Sequence, residues 1–256
     1  IFLYSIIDNP YGKDEIFSSF IFSVARLIGC FIFAFFIIYF LVILNFASKE
    51  KISNSYLGPI TNFLKRYGKF AFFILLLISL YRIADVVMGV MANIFYLEKG
   101  YKISEIATFS KFFGVFATIV GGFIGGYCSY KFGTMKALFF GAFIAALSNL
   151  LFAWLAVSPT SVNFLIAVIT ADNISSGFAG AAFVIYLSGL TSIKFTATQY
   201  ALFSSIMLFL PKLIAGYAGS WVDIMGYAYF FSFTAFLGIP VLLLIIWIGK
   251  VAPIKN

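Results

Sequence analysis

The sequence predicts an all-α polytopic membrane protein. Of its 256 residues, 63% are apolar and only 10% charged, whereas charged residues make up about 25% of a soluble domain. The apolar residues, 35 phenylalanines among them, gather into seven runs, most of them long enough for a hydrocarbon core that takes about 20 helical residues to cross. No alternating ten-residue strand pattern occurs, which disfavours a β-barrel.

The runs cover residues 17–46, 70–97, 105–129, 135–157, 162–191, 197–221 and 227–249. The first reads either as one crossing that starts outside, with residues 1–16 as an external loop, or as an interfacial or re-entrant segment; Arg26 argues against a plain crossing. The chain begins at Ile1 without a methionine or a signal-peptide pattern, as a fragment does. Residues 47–69 carry Lys49, Lys51, Lys65, Arg66 and Lys69 and read as a basic cytoplasmic linker, whose tail Tyr56 to Arg66 is expected to form a short surface helix. With that linker inside, alternation puts Lys131, Lys136, Lys194, Lys250 and Lys255 inside as well. The outer connections then hold the cancelling set Glu98, Lys99, Lys102 and Glu105, the uncharged turn 158–160 and the acidic Asp223. Six consecutive spans therefore obey the positive-inside rule.

A net charge of +8 raises the question of nucleic acid, but the basic residues stand at the ends of apolar runs and not along one amphipathic face. We expect no nucleic-acid partner. Cys30 and Cys128 lie within or beside spans and have no metal-ligand spacing, so no disulfide framework, zinc site or other metal is expected. No nucleophile-base-orienter set and no phosphate-binding glycine loop appears, so neither a cofactor nor enzymatic activity is expected.

The last six spans repeat. Gly126-Tyr-Cys-Ser-Tyr-Lys-Phe-Gly133 ends one run and Gly219-Ser-Trp-Val-Asp-Ile-Met-Gly226 ends another, with both glycines 93 residues apart. Asp85 and Asp172, separated by 87 residues, each sit on the first helix of a three-span set. Three spans repeated once have opposite orientations, which is the inverted 3+3 arrangement within one half of a major facilitator transporter. The expected organisation is a preceding loop and apolar segment at 1–46, the linker at 47–69 and a six-helix half at 70–256.

The acids carry the functional signal. The chain has no histidine, so a side-chain proton relay near neutral pH would rely mainly on acids. A carboxylate at the bilayer centre costs at least about 2.5–3.5 kcal/mol, so Asp85 and Asp172 are the candidate proton-coupling residues. Arg82 stands three residues before Asp85 and can pair with it on one helix face, which Tyr81, Gly89 and Asn93 extend. A static ion pair locking two helices is the competing reading. Asp172 and Asn173 precede Ser176, Gly177, Gly180 and Ala181, whose small side chains let a helix or a substrate come close. Lys212 follows Pro211 and offers a cation to an anionic substrate, or its stem snorkels outward. Gln199 and Tyr200 offer hydrogen bonds to amides or sugar hydroxyls, or border the membrane. The turn motifs contribute Gly126, Lys131, Gly133 and Asp223 as gating positions. An intramembrane aspartyl protease would also want two acids, but neither sits in a Tyr-Asp or Gly-x-Gly-Asp setting.

The strings LYRIAD (80–85), ATIVGGFIGG (117–126), DNISSGFAGAAFVIYL (172–187) and FTATQYALFSS (195–205) resemble AmpG-type muropeptide permeases of the major facilitator superfamily, over roughly residues 56–249. The resemblance implies a proton symporter of the bacterial inner membrane that imports cell-wall anhydromuropeptides. It places the family's seventh-helix acid and its basic neighbour on Asp85 and Arg82, and the tenth-helix polar pair on Asp172 and Asn173. The eleventh-helix Ala-Thr-Gln-Tyr string falls on 197–200, with the following cation at Lys212. Tyr130 stands where the superfamily often has Asp, which weakens a gating salt bridge there. The other departure is the N-terminal six-helix half, whose absence leaves one wall of the path and a companion half as the expected partner. The alternatives are a major facilitator for another substrate, acetyl-coenzyme A or a drug, and a non-functional membrane remnant.

Overall fold

The computed structural model describes Pro10, residues 15–44 and residues 57–251. Most of the preceding loop, the linker's Lys49 and Lys51, and Lys255 lie outside the described residues. The chain divides into two units, Ile1–Arg66 and Tyr67–Asn256. Among the described residues every regular element is helical. Seven stretches are long and apolar enough to cross a membrane: Phe17–Ile43, Gly58–Glu98, Ile103–Phe132, Thr134–Val157, Val162–Leu190, Ile193–Ala215 and Ala218–Val251. The all-α polytopic architecture is as expected.

In the first unit, α1 (Ile16–Ile43) runs unbroken for 28 residues. Helix α2 (Gly58–Tyr67) has Pro59 in its first turn, where a fixed φ and a missing N–H are tolerated, and Lys65 and Arg66 in its last, where they complement the helix dipole. It falls where the short helix was expected.

The second unit opens with α3 (Ala71–Leu80) and α4 (Ile83–Glu98). The short α5 (Ile103–Ile106) continues through a π-helical segment, Ala107–Phe113, into α6 (Gly114–Phe132). Then come α7 (Thr134–Val157), α8 (Val162–Leu190), α9 (Thr196–Ala215), α10 (Ala218–Phe236) and α11 (Gly238–Val251).

Three boundaries differ from the sequence expectation. The run 70–97 is interrupted: α3 stops at Leu80, and Arg82 (φ −97°, ψ 9°) caps α4 from the sparsely populated bridge region. The run 197–221 ends early, at Ala215, because Gly216 and Tyr217 turn the chain into α10. Asp223 consequently stands in a helix rather than in a connection, just before a break at Gly226.

That break bears on the repeat. Gly226 (φ 75°, ψ 164°) has nearly the backbone conformation of Gly133 (φ 89°, ψ 150°), which joins α6 to α7 without an intervening loop. Only glycine adopts this region readily, so the 93-residue repeat is written in the backbone as well as in the letters.

Helices α6 and α8 pack at close range. A methyl group on Gly121 would overlap the Ile174 carbonyl, one on Gly125 the Phe178 carbonyl, and one on Gly177 the Thr118 carbonyl. Lipid tails are as apolar as leucine, so such backbone approach is what holds membrane helices together. Gly177→Leu is expected to push the two helices apart and destabilise the unit by about 1–3 kcal/mol. Thermal unfolding in detergent measures it. On the other side of α7, Phe95, Phe152 and Phe231 from α4, α7 and α10 form a ring cluster at centroid distances of 5.0 and 5.3 Å.

At one end of the unit, the turn after α4 is stitched to the α7–α8 turn. Lys99 Nζ donates to the Ala156 carbonyl at 2.7 Å, near the negative end of α7, and Thr160 Oγ1 donates to the Lys99 carbonyl at 3.1 Å. The Tyr101 phenol donates to the Ser161 carbonyl at 3.1 Å. Loss of solvent raises the Tyr101 pKa above the ordinary tyrosine value, although its oxygen also accepts the Ser161 N–H at 3.4 Å, so the donor persists at any physiological pH.

Candidate functional site

The helix break builds the site. Because α4 restarts at Ile83, Asp85 falls in its first turn, where unpaired backbone N–H groups favour an anion. Arg82, in the break itself, turns its guanidinium back onto Asp85 at 3.2 Å. The same group reaches α8: Nη1 donates to the Ser176 carbonyl at 3.3 Å and Nη2 to its Oγ at 3.2 Å. Gly180, one turn on, keeps room beside Nη1, which a methyl there would approach to 3.6 Å. The Asp85 side chain is only 11% exposed, and neither of its oxygens accepts a hydrogen bond from the described residues. The carboxylate thus depends on Arg82 and the helix end for its stability.

Tyr81 fixes the break from behind. Its phenol lies 3.2 Å from the Leu138 carbonyl and 3.4 Å from that of Ala179, and its ring stacks on Phe183 at 4.4 Å. This corrects the sequence reading that set Tyr81 on one face with Asn93: the interruption turns Tyr81 into the core, where it is 5% exposed, while Asn93 stands on the open side of α4.

Asp172 lies one helical turn before Ser176, on the same face of α8, and Ser176 is the residue that Arg82 holds. Ser148 Oγ of α7 is 3.4 Å from Asp172 Oδ1 and also within reach of the Ala145 carbonyl, at 2.9 Å. Ser175 Oγ is 3.1 Å from Ser148 Oγ. Asn173 faces α6 instead: Thr118 Oγ1 donates to its Oδ1 at 3.0 Å, and its Nδ2 donates to the Ile169 carbonyl at 2.8 Å. Gly114 leaves the space this amide fills. Beside Ser148 and Ser175 opens a groove of about 530 Å³ between α7 and α8, otherwise lined by apolar side chains including Leu147, Leu151 and Ile174.

The remaining candidates are not drawn into this cluster. Gln199 is 1% exposed, and its Oε1 accepts the Ser192 N–H at 2.7 Å, holding the turn before α9. Tyr200 is half-buried and Lys212 exposed, one residue past the buried Pro211. Lys131 lies over the rings of Tyr127 and Phe132, at 5.7 and 5.5 Å. Gly126 has open space about its Cα, and Asp223 is exposed. Among the described residues no three His, Cys, Asp or Glu side chains gather as a metal site.

Sequence reasoning missed Ser148, Asn149 and Thr118. Asn149 is fully buried, with Nδ2 3.4 Å from the Ala84 carbonyl and 3.3 Å from Thr234 Oγ1. The signal was present: Ser148-Asn149 is the polar dipeptide in the middle of an otherwise apolar run.

No family model matches the chain. Its similarity to whole proteins is clear, however. It is 37% identical over 194 residues to "Putative transporter AmpG 4" of Rickettsia felis, covering 76% of this chain and 46% of that relative. The protein of the same name in Rickettsia conorii is 35% identical over 206 residues, 80% of this chain and 49% of the relative. "Putative transporter AmpG 1" of Rickettsia bellii is 36% identical over 189 residues, 73% of this chain and 46% of the relative. These similarities support an AmpG-type permease. It spans about half the length of the curated relatives it matches. An AmpG-type chain with seven helices able to span is a multi-pass protein of the bacterial inner membrane. In this AmpG-type chain the charged cluster sits on α4 and α8, the helices carrying two of the strings that suggested the family.

Proposed function

We propose that this chain is the C-terminal six-helix half of a secondary active transporter that imports anhydromuropeptides by proton symport, completed by an N-terminal half. The observation that carries the reading is the Arg82–Asp85 pair at a break in a membrane-spanning helix, with Asp172 one helical turn from the Ser176 that Arg82 also holds. Broken helices at membrane depth recur where transporters bind ions and substrates. Residues 70–256 form the transporting half, 47–69 a basic cytoplasmic linker, and 1–46 the preceding loop and apolar segment, the last span of the N-terminal half or an interfacial one.

The chemistry follows from charge balance. With Asp85 ionised, Arg82 is neutralised within the pair. Protonation of Asp85 from the periplasmic side breaks that pairing and frees a guanidinium, which takes a carboxylate of the substrate's stem peptide through two parallel hydrogen bonds. Asp172 receives the proton or holds a second one, and release to the cytoplasm restores the ion pair. Substrate and proton are therefore bound together or not at all. Lys212, Asn93, Asn173, Gln199 and Tyr200 serve substrate recognition in this reading, and Gly126, Lys131, Gly133 and Asp223 the gates.

Uptake of labelled anhydromuropeptide tests it, in vesicles carrying this chain together with the N-terminal half of the Rickettsia felis relative. Accumulation that requires an inward proton gradient supports the reading. Accumulation of acetyl-coenzyme A or a drug in its place, or of nothing, defeats it.

A further inference from the structure

The two acids are joined by a side of the bundle that no recognised motif covers. Ser148 and Asn149 are consecutive on α7, yet they face different neighbours: Ser148 reaches the Asp172 carboxylate on α8, and Asn149 reaches the Ala84 carbonyl in the turn that carries Asp85. We propose that Ser148 and Asn149 are positioning residues that hold the two acid-bearing segments in register, so that a change at one acid is felt at the other through α7. The inference rests on the reading of Asp85 and Asp172 as the proton-carrying pair.

Asn149 is a poor structural bond. Its two donor contacts are long, at 3.4 and 3.3 Å, and its Oδ1 is buried with no partner among the described residues. An unsatisfied buried acceptor destabilises a fold and calls for an explanation in function. Nor do its partners depend on it. Thr234 Oγ1 already donates to the Phe231 carbonyl at 2.8 Å, and the Ala84 carbonyl sits in the helix where it is the natural acceptor for a backbone N–H one turn on. An amide that holds this position at a net loss serves the turn that carries Asp85, which it reaches at the Ala84 carbonyl.

The charged and titratable groups around the pair are few. Arg82 pairs with Asp85 at 3.2 Å and Ser148 lies 3.4 Å from Asp172, while Tyr81, just before α4, and Tyr96, near its end, are buried phenols. On α9 the charge is the exposed Lys212; on α10 the Tyr227 phenol faces Glu98 and Asp223 instead. A shift in the acids' titration on changing α7 is therefore read against a small set of fixed charges.

The test is an infrared titration of the protonated-carboxyl bands in the full chain reconstituted in nanodiscs, with bands assigned by Asp85→Asn and Asp172→Asn. Thermal unfolding is recorded beside it. Asn149→Leu is expected to melt at or above the wild-type temperature and yet move the Asp85 midpoint. Ser148→Ala is expected to move the Asp172 midpoint upward by less than about one pH unit, the size of a full hydrogen bond to a charged group, because the hydroxyl is shared with the Ala145 carbonyl, and Ser148→Thr to restore it. An Asn149→Leu protein that melts well below wild type marks a merely structural amide and overturns the inference. So does one with unmoved midpoints, and so does a Ser148→Ala protein that titrates as wild type. A wild-type chain in which neither acid titrates contradicts both this inference and the proton-coupling reading. Failure of muropeptide uptake with midpoints that still shift counts against the transport reading alone.

Discussion

Asp85→Asn and Asp172→Asn are each expected to reduce gradient-driven uptake to the level seen without a gradient. Asparagine keeps the volume and one oxygen of each carboxylate but neither ionises nor accepts a proton, so the substitution separates chemistry from packing. At Asp85 the effect is largest. With the carboxylate gone, Arg82 no longer has the ion-pair partner 3.2 Å away and is held only by Ser176. Substrate then binds whether or not a proton is present, which uncouples the cycle. Exchange of labelled against unlabelled substrate across the vesicle without a gradient checks this: Asp85→Asn is expected to exchange, whereas net accumulation fails.

Arg82→Met carries the largest expected effect on stability. It removes the one charge paired with Asp85, whose oxygens accept no hydrogen bond from the described residues. Breaking a buried pair from one side typically costs about 3–5 kcal/mol, while replacing both members with apolar groups of similar volume is often neutral or stabilising. Arg82→Met is therefore expected to unfold at a markedly lower temperature in detergent. The double variant Arg82→Met, Asp85→Leu is expected to recover most of that loss and remain without transport. Recovery without activity would identify the pair as functional rather than as a static lock between α4 and α8.

How much of this was legible in the letters follows from what each residue type betrays by itself. Asp85 and Asp172 stood out because carboxylates are costly among apolar residues, and Arg82 because a charge three residues away lies on one helical face. The glycine repeat was visible as spacing, and its meaning became physical at Gly133 and Gly226, where the backbone takes a conformation that favours glycine. The break between α3 and α4 was not legible. Tyr81 and Arg82 are ordinary helix residues, with no proline or glycine beside them, and what holds the break is tertiary: the carbonyls of Leu138 and Ala179 for one, Ser176 for the other. Gln199 misled for the opposite reason. A polar residue near a span end reads as available, but its partner is a backbone N–H seven residues earlier, in a turn that composition does not reveal. The end of α9 at Ala215 was hidden in the same way, since Gly216 and Tyr217 are as apolar in context as the residues around them.

In the proposed cycle, proton binding at the α4–α8 acid pair and substrate binding are one event. The most direct measurement is the pH of the outer medium when anhydromuropeptide is added to vesicles that carry the chain and its companion half, with no gradient imposed. An alkalinisation that saturates with substrate and disappears in both Asp85→Asn and Asp172→Asn is expected. Uptake of the same substrate with no accompanying proton movement, or an alkalinisation unchanged in the two variants, would contradict it.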